Sequence, residues 1–204
     1  MGAARKLKLV SVEDYLAGEL RSSVKHEYLG GVIHAMAGAT NNHNTIALNV
    51  ATSLRAQLRG KPCRPFNSDT KLRIQLPTQT RYYYPDVSVV CHQNSPTESF
   101  QDLPAVIVEV VSRSTRRTDM GEKKDAYLTI PTLSVYVLVE QEEPAAIVFR
   151  RTNDGFVREV YEGLDAVIPL PEIETEFALT DAYEDVAFTP EPDEDEELLS
   201  SHTA

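Results

Sequence analysis

The sequence predicts an α/β fold, a central mixed β-sheet with α-helices on its faces, preceded by an N-terminal helix and hairpin. Three observations predict it. Residues 105–111 and the run LSVYVLVE are almost continuously apolar, as strands covered on both faces are. A helical stretch lies between them, and another precedes them with Ile46, Val50, Leu54 and Leu58 at four-residue spacing. The chain has 204 residues, is 42% hydrophobic and 25% charged, and can bury a proper core in one domain.

The elements follow in order. Ser11, with Asp14 three residues on, starts a short helix over SVEDYLAGEL. KHEYLGGVIHAMAG reads as two strands turned at Gly30 and Gly31. A helix runs from His43 to about Leu58, with Gly60 and Pro62 ending it. Strands are expected at Cys63–Phe66, Thr70–Gln75 and Tyr82–Val90, then a loop over Pro96–Pro104 and a buried strand over Ala105–Val111. Ser112, Ser114 and Thr115 offer caps to a helix over Asp119–Ile130, which Pro131 ends. After LSVYVLVE, AAIVFRR and FVREVYEG form a hairpin across Asn153, Asp154 and Gly155. The domain is expected over residues 1–189, and the acidic stretch 190–204 is expected to be disordered.

Composition narrows the function. The net charge of −11 is uneven: residues 1–130 hold 17 Lys/Arg against 12 Asp/Glu, and residues 131–204 hold 3 against 19. Either a polyanion is met by the first part, or a solvated acidic tail skews an otherwise neutral protein. No apolar run approaches the length of a membrane span, and the N-terminus carries no long apolar signal core. Cys63 and Cys91 fit no metal motif, and free thiols in a cytoplasmic, reducing setting are expected.

One residue raises the chemical question. Glu109 lies inside an otherwise apolar strand, where an unpaired carboxylate is costly. Asp86, Asp69 and Glu27 are the other acids beside or within strand-like segments, and Asp86 is the stronger partner. Asp119, Lys123 and Tyr127 are four apart and share a helical face behind Glu109. Each also has a plain reading: Lys123 on a solvated helix surface, Asp86 starting a turn, Asp69 as a cap, Tyr127 as packing, His43 as the surface of a helix start. Two carboxylates converging at a sheet edge can hold Mg²⁺ or Mn²⁺, and a nearby lysine can steady charge on a phosphate. That combination is phosphodiester-cleaving chemistry.

Asp86 in YYYPDVSVV, Glu109 in LPAVIVEVVSRST, and Asp119 to Lys123 followed by Tyr127 resemble the Uma-type restriction endonuclease family, part of the PD-(D/E)XK nuclease superfamily. HEYLGGVIHAMAGAT and LSVYVLVE also fit, and the resemblance runs from about Ser11 to Asp185. It implies a restriction-endonuclease-like core. It implies that Asp86 and Glu109 bind a divalent metal, Mg²⁺ or Mn²⁺, and Glu27, which matches a recurrent family acid, is a further metal or water ligand or else a strand-edge acid; the Val110 carbonyl, next in the strand, offers another oxygen. It places the lysine at Lys123, because the usual position two residues after the acid is Val111. Arg113, Arg116 and Arg117 lie next to the site and could contact backbone phosphates or line a solvated loop. The expected partner is nucleic acid, DNA first, and the superfamily habit implies a homodimer. The chain lacks the Trp that family members often carry in the strand matching VYVLVE. Two rival readings are a catalytically degenerate binding or regulatory module of the same fold, and a carboxylate-pair glycosidase. The latter lacks a Trp to stack a sugar and gives Lys123 no role.

Overall fold

The computed structural model describes residues 9–188. Ser11 caps α1 (Val12–Glu19) by accepting the Asp14 N–H, as the spacing predicts. The hairpin follows as β1 (His26–Leu29) and β2 (Val32–Ala35), with both linking glycines at positive φ. α2 (Asn41–Gln57) starts two residues before His43, because the Thr40 hydroxyl caps the His43 N–H. Its buried stripe is Ile46, Val50 and Leu54.

β3 (Arg64–Asn67) and β4 (Lys71–Gln75) appear as expected. The single strand expected over Tyr82–Val90 does not. It is split into β5 (Thr80–Tyr83) and β6 (Val87–Val90), which belong to different sheets. Pro85 has no N–H to give a ladder, so the chain leaves one sheet at Tyr84 and enters the other after Asp86. A two-residue β7 (Phe100–Gln101) interrupts the expected loop, and β8 (Pro104–Val111) is the long buried strand.

The helix expected over Asp119–Ile130 is shorter and irregular. It runs as α3 (Arg116–Thr118), a π-helical segment (Asp119–Lys123) and α4 (Lys124–Tyr127). β9 (Val135–Glu140) and the hairpin β10 (Ala145–Thr152) and β11 (Gly155–Glu162) follow. The sequence predicts no further element beyond this hairpin. The structure adds β12 (Val167–Leu170), a 3-10 turn (Pro171–Ile173), β13 (Thr175–Ala178) and α5 (Leu179–Ala182).

The central sheet is mixed and has the order β11-β10-β9-β8-β6-β3, with β8 and β9 parallel and the other pairs antiparallel. On one face Val106, Val108 and Val110 pack with α2, α5 and the β12–β13 pair. On the other, Ile107 and Val111 pack with Tyr83, Tyr127, Tyr136 and Leu72. A second sheet, β2-β1-β5-β4-β7, carries Leu72, Ile74 and Tyr83 into that second core. Its other face buries Tyr28, Tyr82 and Phe100 against Tyr15 of α1.

The expected free thiols are a correction. Cys63 and Cys91 are joined as a disulfide, and no free cysteine remains among the described residues. The physical reason is register: Arg64 pairs with Val90, so the next residues outward on β3 and β6 face each other. The acidic stretch 190–204 lies outside the described residues. Among those residues no helix is long and apolar enough to cross a membrane.

Candidate active site

The site grows from a mismatch in strand length. β6 pairs with β8 only as far as Val87 opposite Val108, whereas β9 accompanies β8 to Val111. The last turn of β8 therefore has an open side toward β6. Asp86 fills it. Its Oδ2 accepts the Val110 N–H at 2.7 Å, and its own N–H donates to Glu109 Oε2 at 3.2 Å. A strand residue turns its N–H and C=O to the same side, so the Val110 carbonyl also faces this edge. Alternation along β8 sends the Glu109 side chain the other way, to the face of Ile107 and Val111, where it is 3% exposed.

The segment after β8 folds back over Glu109. Its π-helical turn keeps Asp119 and Lys123 adjacent, with Nζ 3.5 Å from Asp119 Oδ1. Single π turns of this kind recur at functional sites. Lys123 Nζ also lies 3.4 Å from Glu109 Oε1 and 3.2 Å from Glu27 Oε1, which β1 delivers from the second sheet. The Glu27 contact is one of charge: that oxygen has no well-aligned hydrogen bond. Tyr127, one α4 turn further, donates its hydroxyl to Glu109 Oε1 at 2.9 Å. Tyr136 of β9 donates to the Asp119 carbonyl at 3.0 Å. Asp119, Lys123 and Tyr127 thus share the face that their spacing predicts.

Electrostatics follow from burial and charge count. Four carboxylates, Glu27, Asp86, Glu109 and Asp119, gather about one lysine, and none of the five side chains is more than 15% exposed. Burial pushes the Glu109 carboxyl well above the usual carboxylate range; Lys123 opposes this, and Asp86 and Asp119 add to it. Burial likewise raises Asp119. For Lys123 burial acts downward, but Glu109, Glu27 and Asp119 outweigh it and hold the ammonium charged.

From the sequence His43 reads as the surface of a helix start, but the structure brings it to Asp86. It projects from the first turn of α2, with Nε2 3.2 Å from Asp86 Oδ2 and a side chain only 14% exposed. Burial lowers its affinity for a proton, but the hydrogen bond and charge of Asp86 prevail and its pKa is raised. The available signal was its position in the first helical turn, where the Thr40 cap fixes the backbone. The three arginines pair with other acids or face solvent. Arg113 pairs with Glu142 and Arg116 with Glu140, both at 2.6 Å, and Arg117 is exposed. Asp69 pairs with Lys25, away from Glu109.

Comparison with known proteins places this geometry in context. A family profile described as "Uma2: Putative restriction endonuclease" matches residues 12–182. An uncharacterized protein of Synechocystis sp., slr1290, is 35% identical over 181 residues, covering 88% of this chain and 94% of that protein. A second from the same organism, sll1609, is 32% identical over 137 residues, covering 66% and 76%. Among solved structures, one described as a putative nuclease belonging to DUF820 from Anabaena variabilis superposes with a TM-score of 0.67. It covers 87% of this chain and 99% of its own at 16% identity, a likeness of fold.

Proposed function

The chain belongs to the Uma2 family, and on that premise we propose that it is a divalent-metal-dependent nuclease that hydrolyses phosphodiester bonds, with DNA as its substrate. The carrying observation is the crowding of acids in the site: four buried or nearly buried carboxylates against Lys123 and, beside Asp86, His43. Such an excess is costly away from water unless a cation joins it.

The donors suit a hard ion. Mg²⁺ is ordinarily held by one or two carboxylates with water in the remaining positions. Asp86, Glu109 and the Val110 carbonyl offer oxygens of that kind, whereas Glu27 turns Oε1 to Lys123. Among the described residues no group of three or more His, Cys, Asp or Glu is arranged so that it could hold a metal ion. The proposed ion, Mg²⁺ or Mn²⁺, would therefore rest on two carboxylates and the Val110 carbonyl, with water completing its shell. When bound, such an ion supplies a Lewis acid for the phosphate and a water of lowered pKa.

The chain's own residues do the rest. Lys123, kept charged by its acidic neighbours, neutralises charge that develops on the phosphate. Tyr127 orients Glu109, and Asp119 orients Lys123. Arg117, exposed to solvent, would meet a backbone phosphate directly; Arg113 and Arg116 would first leave Glu142 and Glu140. The test is nicking of supercoiled plasmid by the wild type in Mg²⁺ or Mn²⁺, set against EDTA and against Glu109→Ala. Nicking that needs both the metal and Glu109 supports the reading; nicking equal in all arms contradicts it.

One observation favours a second reading. Both Glu109 oxygens already have partners, Oε1 in Tyr127 and Lys123 and Oε2 in the Asp86 N–H. A closed cluster of this kind suits a nucleic-acid-binding or regulatory module of the same fold without catalysis. Binding of DNA with no metal affinity would favour that module.

A further inference from the structure

β11 is an edge strand of the central sheet, eight residues long, with no strand on its outer side among the described residues. The opposite edge, β3, is half that length and contains Pro65, a common guard against pairing. β11 has no proline, and Val157 and Val160 on it are each 46% exposed. An open edge of this length is a template for another strand.

Its outward groups can be assigned. Arg151 donates its N–H to the Ser134 carbonyl, so the odd-numbered residues of β10 bond toward β9 and the even-numbered ones toward β11. The pairs Ala146–Tyr161, Val148–Glu159 and Arg150–Val157 are therefore the bonded ones. The Gly163 N–H, donated to the Pro144 carbonyl, continues the same parity. Phe156, Arg158, Val160 and Glu162 consequently turn their N–H and C=O groups outward.

We propose that this edge pairs with β11 of a second copy of the chain, antiparallel and centred on Val160. In that register every outward-facing residue from Arg158 to Glu162 meets another, as antiparallel bonding requires. Val160 lies opposite itself, and Arg158 lies opposite Glu162 of the second copy, twice by symmetry. Neighbouring registers are worse. Centring on Arg158 or on Glu162 sets like charges against each other, and centring on Glu159 or Tyr161 pairs neither charge with its opposite. Arg158 and Glu162 have no side-chain partner within the described part of the chain, so both are available. Opposite charges directly across a strand pair stabilise it, and like charges oppose it. The two central sheets would become one continuous sheet. This inference stands independently of the nuclease reading.

The test is the solution mass of the full chain, whose single copy is 22.7 kDa, by sedimentation and light scattering over a range of concentrations. The wild type should run at twice that mass. Arg158→Glu or Glu162→Arg alone should weaken association by about tenfold or more. Arg158→Glu with Glu162→Arg should restore it, and Val160→Pro, which removes a central outward N–H, should give a single copy. Circular dichroism checks that each variant stays folded. A wild type that remains a single copy throughout overturns the proposal. So does a dimer that ignores these changes, or a charge exchange that fails to restore association.

Discussion

Asp86 and Glu109 hold each other through the main chain: the Asp86 N–H donates to Glu109 Oε2, and Asp86 Oδ2 accepts the N–H of the residue after Glu109. The two acids are thereby fixed at the open end of β8. Asp86→Ala should leave the Val110 N–H without its partner and cost about 1–3 kcal/mol of stability. Asp86→Asn retains an acceptor oxygen and should cost about 1 kcal/mol or less. Urea denaturation of the two variants compares these costs, and equal losses would refute this structural role.

Lys123 is the one lysine among the buried acids, in contact with Glu27, Glu109 and Asp119. Lys123→Met should destabilise the protein by about 3–5 kcal/mol at neutral pH, because the carboxylates left behind lose their compensation. The loss should shrink on mild acidification, since the raised pKa values of Glu109 and Asp119 let those groups take up protons. Urea titrations of wild type and variant at neutral and at mildly acidic pH measure both the size and the trend.

Glu109 sets a pH dependence of unusual sign for a carboxyl group. Its pKa in the folded chain lies above the ordinary value of 4.5, so the folded state binds its proton more tightly than the unfolded state does. Its contribution to stability is most favourable below that ordinary value and is lost as pH rises through the folded pKa. Glu109→Gln carries no titrating group. In EDTA it should gain stability relative to the wild type as pH is raised through that window. A constant difference across pH would contradict the buried, raised carboxyl.

His43 obeys the rule for a partnered histidine. Its pKa is raised from 6.5, so the stability it contributes through Asp86 is complete below that value and is lost as pH rises through the folded pKa. Imidazole titration by NMR should give a midpoint above 6.5 in the wild type and a lower one in Asp86→Asn. An unchanged midpoint would separate His43 from the site.

Much of this arrangement is legible from residues alone. The four-residue stripe on α2, the Gly30–Gly31 turn and the Ser11 cap report local physics, and each appears in the structure. Glu109 stands out because burial of an acid needs compensation, and the spacing of Asp119, Lys123 and Tyr127 predicts their common face. What local pattern misses is set by long-range pairing. YYYPDVSVV reads as one strand, yet Pro85 divides it between two sheets. The disulfide depends on the register of β3 against β6, which spacing along the chain does not encode. His43 looks like an ordinary helix start until the fold carries Asp86 to it.

Calorimetric titration of Mn²⁺ into the metal-free wild type, Asp86→Ala and Glu109→Ala tests the central claim most directly. The account predicts saturable binding to the wild type that is lost in both variants. Absence of binding to a folded wild type, or binding that survives both substitutions, would contradict a metal centre built on Asp86 and Glu109.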